Sequence, residues 1–374
     1  MIKNQCFKIM GLLVVISIIT SCDDNKSNKK INNNKTVKKE IVETNKICNI
    51  TDLVLNDLEH VQAVGNKINA EVKIIDNAKP IDSIQFFIDD NKKITLMHKP
   101  YSYNFDTKLL SVGEHNIKTI SFVSDKSKDI KEHKFFLVSD IKPQNINYKI
   151  LNTLTHDKRA YTQGFVYDNG YFYEGTGQYG ESTLRKVNAK TGDLIESLNL
   201  PSNVFGEGVV LYKNKIFQLT WQSLVGYVYD KESFKLLNKF NYQTEGWGIT
   251  TDGKDLIMSD GTSKIYYVEP EFFTKLHQFE VCDNNGAVNN LNELEYVNGF
   301  IYANVWQTDK IIKIDPSNGK VVAVINCKKL VPKEYVRSQD NVLNGIAYNS
   351  EKNTFYVTGK RWAVIYEIEL EQIK

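Results

Sequence analysis

The strongest constraint on this fold is a repeat. Turn segments at residues 188–193, 230–235, 269–275 and 315–320, each rich in Asp, Asn, Ser, Lys or Gly, recur about every 40–45 residues. Between them lie short stretches that alternate apolar and polar residues, such as 164–168, 171–174, 182–188 and 194–200. Such alternation reads as strands, and four strands per unit at this period predict a β-propeller. The first unit starts at Gly164, and the next three start at Glu207, Trp247 and Glu293. A fifth starts at Asn344 but has only three strands before the chain reaches Lys374. Residues 148–154 are expected to supply its outer strand, so that the two ends of the ring join and no edge is left open. The fold expected is all-β, a five-bladed propeller over residues 141–374.

A second repeat marks where the units meet the axis. In register it reads Thr162-Gln163-Gly164, Gly206-Glu207-Gly208, Gly246-Trp247-Gly248, Asn292-Glu293-Leu294 and Asn344-Gly345-Ile346. Glycines so placed suit strands that crowd together. The first strand of a propeller blade lies beside the axis, so these residues should face the central channel. The ends of the second strands, at Thr176, Trp221, Gly261, Trp306 and Lys360, should sit nearby. The channel mouth is therefore expected to gather Gln163, Glu207, Trp247, Trp306 and Lys360. Glu174, Trp221, Asp260, Asn292, Glu293, Glu295 and Asn344 are expected close by.

Residues 48–140 have a different rhythm. Period-two stretches at 67–75, 82–88 and 116–123, separated by turns, predict an immunoglobulin-like β-sandwich. At the front, Lys3 and Lys8 precede an apolar run from Ile9 to Ile19, too short to span a bilayer, which needs about 20 residues. The run ends in Thr20-Ser21-Cys22, which resembles a bacterial lipobox. Residues 1–21 are thus read as a lipoprotein signal peptide, Cys22 as the lipidated residue, and 22–47 as a polar tether with little to bury. The expected location is the bacterial cell envelope, with the membrane reached through the lipid anchor. A net charge of +2 gives no sign of nucleic-acid binding. Cys48, Cys282 and Cys327 remain after processing, and a bridge between the last two is the minority reading. Zinc motifs are absent from the sequence, and Gly175-Thr176-Gly177-Gln178-Tyr179-Gly180 opens a strand rather than a helix, which excludes a dinucleotide loop.

Residues 148–374 resemble the bacterial and plant-type glutaminyl-peptide cyclotransferases. The resemblance rests on phrases at 156–164, 205–208, 219–222, 245–248, 259–261, 291–295, 303–307, 343–347 and 358–360, which fall in all five units. It implies conversion of an N-terminal glutamine to pyroglutamate with release of ammonia, without a catalytic metal. It also implies Gln163, Glu207, Trp247, Trp306 and Lys360 as pocket residues. Tyr161, Gly175 and Ala363 depart from residues usual in that family, and none of these is one of the five.

The chemistry asks for such a set. The α-amine, with a pKa near about 7.7–8.0, must attack the carboxamide of its own side chain. One carboxylate can take a proton from that amine and give it to the departing ammonia, a role assigned to Glu207. Lys360, with Gln163 or a backbone N–H, is assigned to the developing oxyanion. Trp247 and Trp306 are assigned to walls that hold the side chain folded. Glu174 and Glu295 are alternative partners for Lys360, His156-Asp157 is read as structural, and so are Asn292, Glu293 and Glu295. Peptides or proteins with N-terminal glutamine are the expected partners of a monomer that needs no cofactor, a structural calcium ion being left open. Two other readings compete. One is a calcium-dependent hydrolase using Glu207, Asp260, Asn292 and Asn344; the other is a non-catalytic binding propeller.

Overall fold

The structure, a computed structural model, describes residues 47–56, 62–76, 79–336, 338 and 340–371. The expected signal peptide, Cys22 and nearly all of the tether lie outside the described residues. The described residues belong to one compact unit.

Five sheets follow the repeat. The first runs Thr162–Asp168, Tyr171–Thr176, Thr183–Asn188 and Leu194–Asn199, and the second Gly206–Tyr212, Lys215–Thr220, Val225–Asp230 and Leu236–Asn241. The third comprises Ile249–Thr251, Leu256–Ser259, Lys264–Val268 and Lys275–Glu280, and the fourth Leu291–Val297, Phe300–Val305, Lys310–Asp315 and Lys320–Asn326. In the fifth, Leu343–Asn349, Thr354–Gly359 and Val364–Leu370 are completed by Tyr148–Thr155, which pairs antiparallel with Val364–Leu370. These antiparallel sheets are built like propeller blades, and the expected closing strand is in place. The fourth sheet also gains a parallel edge strand, Gln144–Ile146, which the sequence reading did not assign.

Burial explains why inner and outer strands differ in sequence. Strands such as Lys215–Thr220 are buried along nearly their whole length because both faces meet neighbouring sheets. Leu194–Asn199 and Leu236–Asn241 lie at the rim and are mostly exposed. The repeated turn has a common cause as well. Gly192, Phe234, Phe273 and Gly319, just before or near the start of the outer strand, all have left-handed φ, at 76°, 52°, 56° and 77°. Glycine adopts this freely, whereas a side chain costs about 1–2 kcal/mol. Phe234 and Phe273 offset it by burial, worth about 1.5–3 kcal/mol for such a side chain; Phe273 stacks on Phe240 with centroids 3.8 Å apart.

The first strands of the five sheets contact one another in a closed cycle. A Cβ on Gly164 would come within 2.2 Å of Val209 N, and one on Gly248 within 2.0 Å of Asn292 O. Only glycine admits backbones this close.

Residues 51–138 form two further sheets, one of three strands and one of five, around a shared core that includes Ile84, Phe86, Ile117 and Leu137. Cys282, from the connection after the third sheet, is buried in that same core. The two parts are joined by direct bonds. Glu114 N donates to Glu280 Oε2 at 2.9 Å, Ser139 N to Asp283 O at 3.1 Å, and Lys320 Nζ pairs with Asp140 at 2.6 Å. Cys327 belongs to a different cluster with Ile325, Leu330 and Trp362, so it does not pair with Cys282, and both thiols are free.

Candidate active site

The sequence repeat at the axis is a repeated β-bulge. The pairing register slips between Thr162 and Gly164, between Gly206 and Val209, between Leu291 and Leu294, and between Leu343 and Ile346. A bulge inserts an extra residue and re-aims its side chain. These bulges carry the buried polar side chains of Gln163, Glu207, Asn292 with Glu293, and Asn344. In the third sheet the inner position holds Trp247, whose N donates across to Ser259 O at 3.1 Å, while Ser259 N donates to Gly248 O at 3.0 Å and the regular strand begins only at Ile249.

The five expected residues come together. Gln163, Glu207, Trp247, Trp306 and Lys360 all line one cavity of about 200 Å³. A larger groove of about 680 Å³ lies at the rim, among Lys213, Leu237, Lys254 and Phe272, and holds no buried carboxylate.

Glu207 is only 4% exposed. Its Oε1 accepts from Gln163 Nε2 at 2.9 Å, whereas its Oε2 is buried without a partner. Burial pushes its pKa well above the carboxylate range; Lys360 pulls the other way and Glu245 adds to the rise. Lys360 is equally buried, and burial pushes its pKa down to about 8 against the pull of Glu207 and Asp340. Its ammonium stands 4.9 Å from the centroid of Tyr161 and 6.0 Å from that of Trp306. The cavity therefore holds one acid and one base whose charges are both expensive to form, a pairing that suits proton transfer.

Trp247 and Trp306 meet edge to face, with centroids 5.5 Å apart. Trp247 lies against Gly261, where a Cβ would come within 2.5 Å of the indole, so the second-strand end supplies the space for the ring. Glu245 Oε2 accepts from Trp221 Nε1 at 2.7 Å and from Trp247 Nε1 at 3.0 Å, and its Oε1 from Gln222 Nε2 at 3.0 Å. Burial would raise the Glu245 pKa, but these three donors outweigh it and hold it low. Glu245 thus fixes two indoles with one ionised group.

Several lining residues were not assigned from sequence. Tyr161, Phe205 and Gln178 line the cavity, and Asn292, read as structural, lines it too with its Oδ1 unpartnered. Tyr161, Phe205 and Glu245 each stand two residues before a ring residue, a positional signal present in the repeat.

Other candidates are placed elsewhere. His156 Nε2 faces Glu174 at 2.9 Å and its Nδ1 faces Trp362 O at 2.8 Å. Both partners accept, so the imidazole carries two protons, and its pKa is raised despite burial. Arg185 completes this buried network with Glu174 and Asp157, which fits the structural role expected of His156-Asp157. Glu174 is thereby committed to partners other than Lys360. Glu293 accepts from Phe165 N and Ile346 N, and Glu295 from Tyr348 N, deeper in the ring. Asp260 is not part of the cavity lining, and its carboxylate is taken by Thr262 and Tyr266. The four residues of the calcium-hydrolase reading are therefore not gathered at one point. Among the described residues no group of three or more His, Cys, Asp or Glu is arranged to hold a metal ion.

Comparison with known proteins identifies the family. The profile of the glutamine cyclotransferase family matches residues 122–370. The chain is 39% identical over 229 residues to a glutaminyl-peptide cyclotransferase of Arabidopsis thaliana, across 60% of this chain and 71% of that protein. It also superposes on the crystal structure of Myxococcus xanthus glutaminyl cyclase with a TM-score of 0.58 and 30% identity, covering 62% of this chain and all of that one.

Proposed function

The chain belongs to the glutamine cyclotransferase family and catalyses glutaminyl-peptide cyclotransfer, and on that premise we propose that Glu207 is the group that carries the proton. The observation behind this reading is the unpartnered Oε2 of a buried Glu207, in a cavity that also holds Lys360. Substrates are peptides with N-terminal glutamine. The α-nitrogen attacks the side-chain amide carbon, and the carbonyl electron pair moves onto oxygen. Glu207 Oε2 takes a proton from the attacking nitrogen and returns it to the amide nitrogen as the C–N bond breaks. Ammonia leaves and the lactam remains. Such proton transfer is worth about 10²–10⁴-fold.

Lys360 is positively charged below about pH 8 and stabilises the oxyanion. Trp247 and Trp306 hold the glutamine side chain folded for ring closure, Gln163 orients Glu207, and the free Oδ1 of Asn292 accepts a substrate N–H. No metal enters the scheme. The cavity offers a single carboxylate beside an ammonium, a donor set that disfavours a divalent cation. We read the five sheets as a five-bladed propeller and residues 48–140 as an immunoglobulin-like module. The lipobox-like run at Cys22 supports an envelope location with a lipid anchor.

Mass spectrometry of a glutamine-initiated peptide, incubated with enzyme and with a Glu207→Gln variant, with and without EDTA, tests the scheme. Loss of one ammonia that survives EDTA and disappears in the variant is the expected result. Undiminished turnover by the variant would remove Glu207 from the mechanism, and loss with EDTA would remove the metal-free reading.

A further inference from the structure

One backbone carbonyl fixes the direction of every hydrogen bond behind Glu207. The Asn344 side-chain amide has the same group 3.0 Å from Thr162 O and 3.2 Å from the Gln163 side chain. A carbonyl oxygen can only accept, so that group is the Asn344 NH₂. The same NH₂ then requires the oxygen of Gln163 to face it. Gln163 is left with its own NH₂ toward Glu207 Oε1, at 2.9 Å. The chain runs from Thr162 through Asn344 and Gln163 to Glu207, across the seam where the fifth sheet meets the first. Asn344 is fully buried, and its Oδ1 has no partner.

We infer that Asn344 is a positioning residue for catalysis: by fixing the Gln163 amide, it presents a donor to Glu207 Oε1 and leaves Oε2 as the basic oxygen that faces the substrate. An inverted Gln163 would turn its carbonyl toward Glu207. Only a protonated carboxyl can satisfy that contact, and a protonated Glu207 is not a base. Hydrogen bonding to the charged form of a carboxylate favours that form, so the orientation of one amide shifts the pH at which the base becomes available. The other ionisable groups around Glu207 are Lys360, Glu245, Tyr161 and Tyr242, and a substitution at Asn344 changes none of them. This inference rests on the reading of Glu207 as the proton carrier.

The test is kcat/KM against pH for the wild type, Asn344→Ser, Gln163→Leu and the double variant, with folding followed by circular dichroism. The substrate amine titrates identically in all four, so differences in the acid limb belong to the enzyme. Asn344→Ser is expected to move that limb up by about half a unit to one unit, lowering activity up to about tenfold below it and little above it. Gln163→Leu is expected to move it likewise, and the double variant no further than either single one. Additive shifts, or a uniform loss at every pH with no movement of the limb, would overturn the inference. If Asn344→Ser does not fold, Gln163→Leu decides alone, since an unmoved limb there also overturns it. Glu207→Gln that still turns over would refute the underlying reading instead, so the two failures are distinct.

Discussion

Glu245 offers a test that separates geometry from charge. Its carboxylate holds the indoles of Trp221 and Trp247 through Oε2 and Gln222 through Oε1. In Glu245→Gln the amide oxygen can keep both indoles, while its NH₂ meets the carbonyl of a rotated, exposed Gln222. The pocket wall should therefore stay in place. What changes is charge: three charge-assisted bonds of about 1.5–3 kcal/mol each become neutral ones of about 0.5–1.5 kcal/mol. Glu245 is only partly buried, and water competes for the indoles, so a net loss of about 1 kcal/mol is expected. Spread over a folded unit of roughly 330 residues, this corresponds to a fall in Tm of about 1–2 °C. The negative charge of Glu245 also raises the pKa of Glu207. Removing it should move the acid limb of kcat/KM to lower pH, the opposite direction to Asn344→Ser. Glu245→Ala removes the clamp as well, and a loosened Trp247 should lower kcat/KM by about tenfold. Steady-state kinetics across pH, with thermal melts, read all of this. An acid limb unmoved in Glu245→Gln, together with unchanged kinetics in Glu245→Ala, would reduce Glu245 to a surface carboxylate.

Three further outcomes follow from burial. Lys360→Met should lower kcat about 10²–10³-fold, and the wild-type decline above about pH 8, where Lys360 loses its proton, should vanish with it; an unaltered alkaline limb would exclude Lys360 as the charge involved. Burial pushes the Glu295 pKa up to about 8, so the folded state holds that proton more tightly than the unfolded one. Its contribution to stability is present below about pH 4.5 and is lost as the pH rises to 8, so Glu295→Gln should flatten the decline of Tm over that window. Cys282 and Cys327 are buried free thiols with pKa values pushed up to about 12 by burial. Both should resist a thiol reagent in the native enzyme and react after guanidinium unfolding, and native reactivity at either would contradict the packing described.

What was legible in the sequence was what repeats. The 40–45-residue period located the sheets, the turns before the outer strands, and the closing strand at 148–154, observed as Tyr148–Thr155. The axis motif placed Gln163, Glu207 and Trp247, and the ends of the second strands placed Trp306 and Lys360, because a residue's position within a repeating sheet fixes its distance from the ring centre. Other features depend on side-chain directions that a repeat does not encode. Asp260 stands one residue before the second-strand end at Gly261, and its carboxylate turns away to Thr262 and Tyr266. Asn292 sits at a bulge, where one residue of slip decides whether a side chain faces the cavity or the wall. The clamp at Glu245 needs two indoles from different turns to converge, a matter of rotamers. Gln144–Ile146 is too short, and its partner too distant in sequence, to announce itself as a strand.

The seam between Tyr148–Thr155 and Val364–Leu370 sets a timetable. A ribosome delivers Glu207 and Gln163 well before Asn344 and Lys360, and the strand that Tyr148–Thr155 must pair with emerges later still. Until then the rim strand stays unmatched, and the proton carrier lacks both the charge expected to assist it and the amide expected to orient it. A chain that stops short of Asn344 and Lys360 therefore lacks two of the groups proposed to serve Glu207.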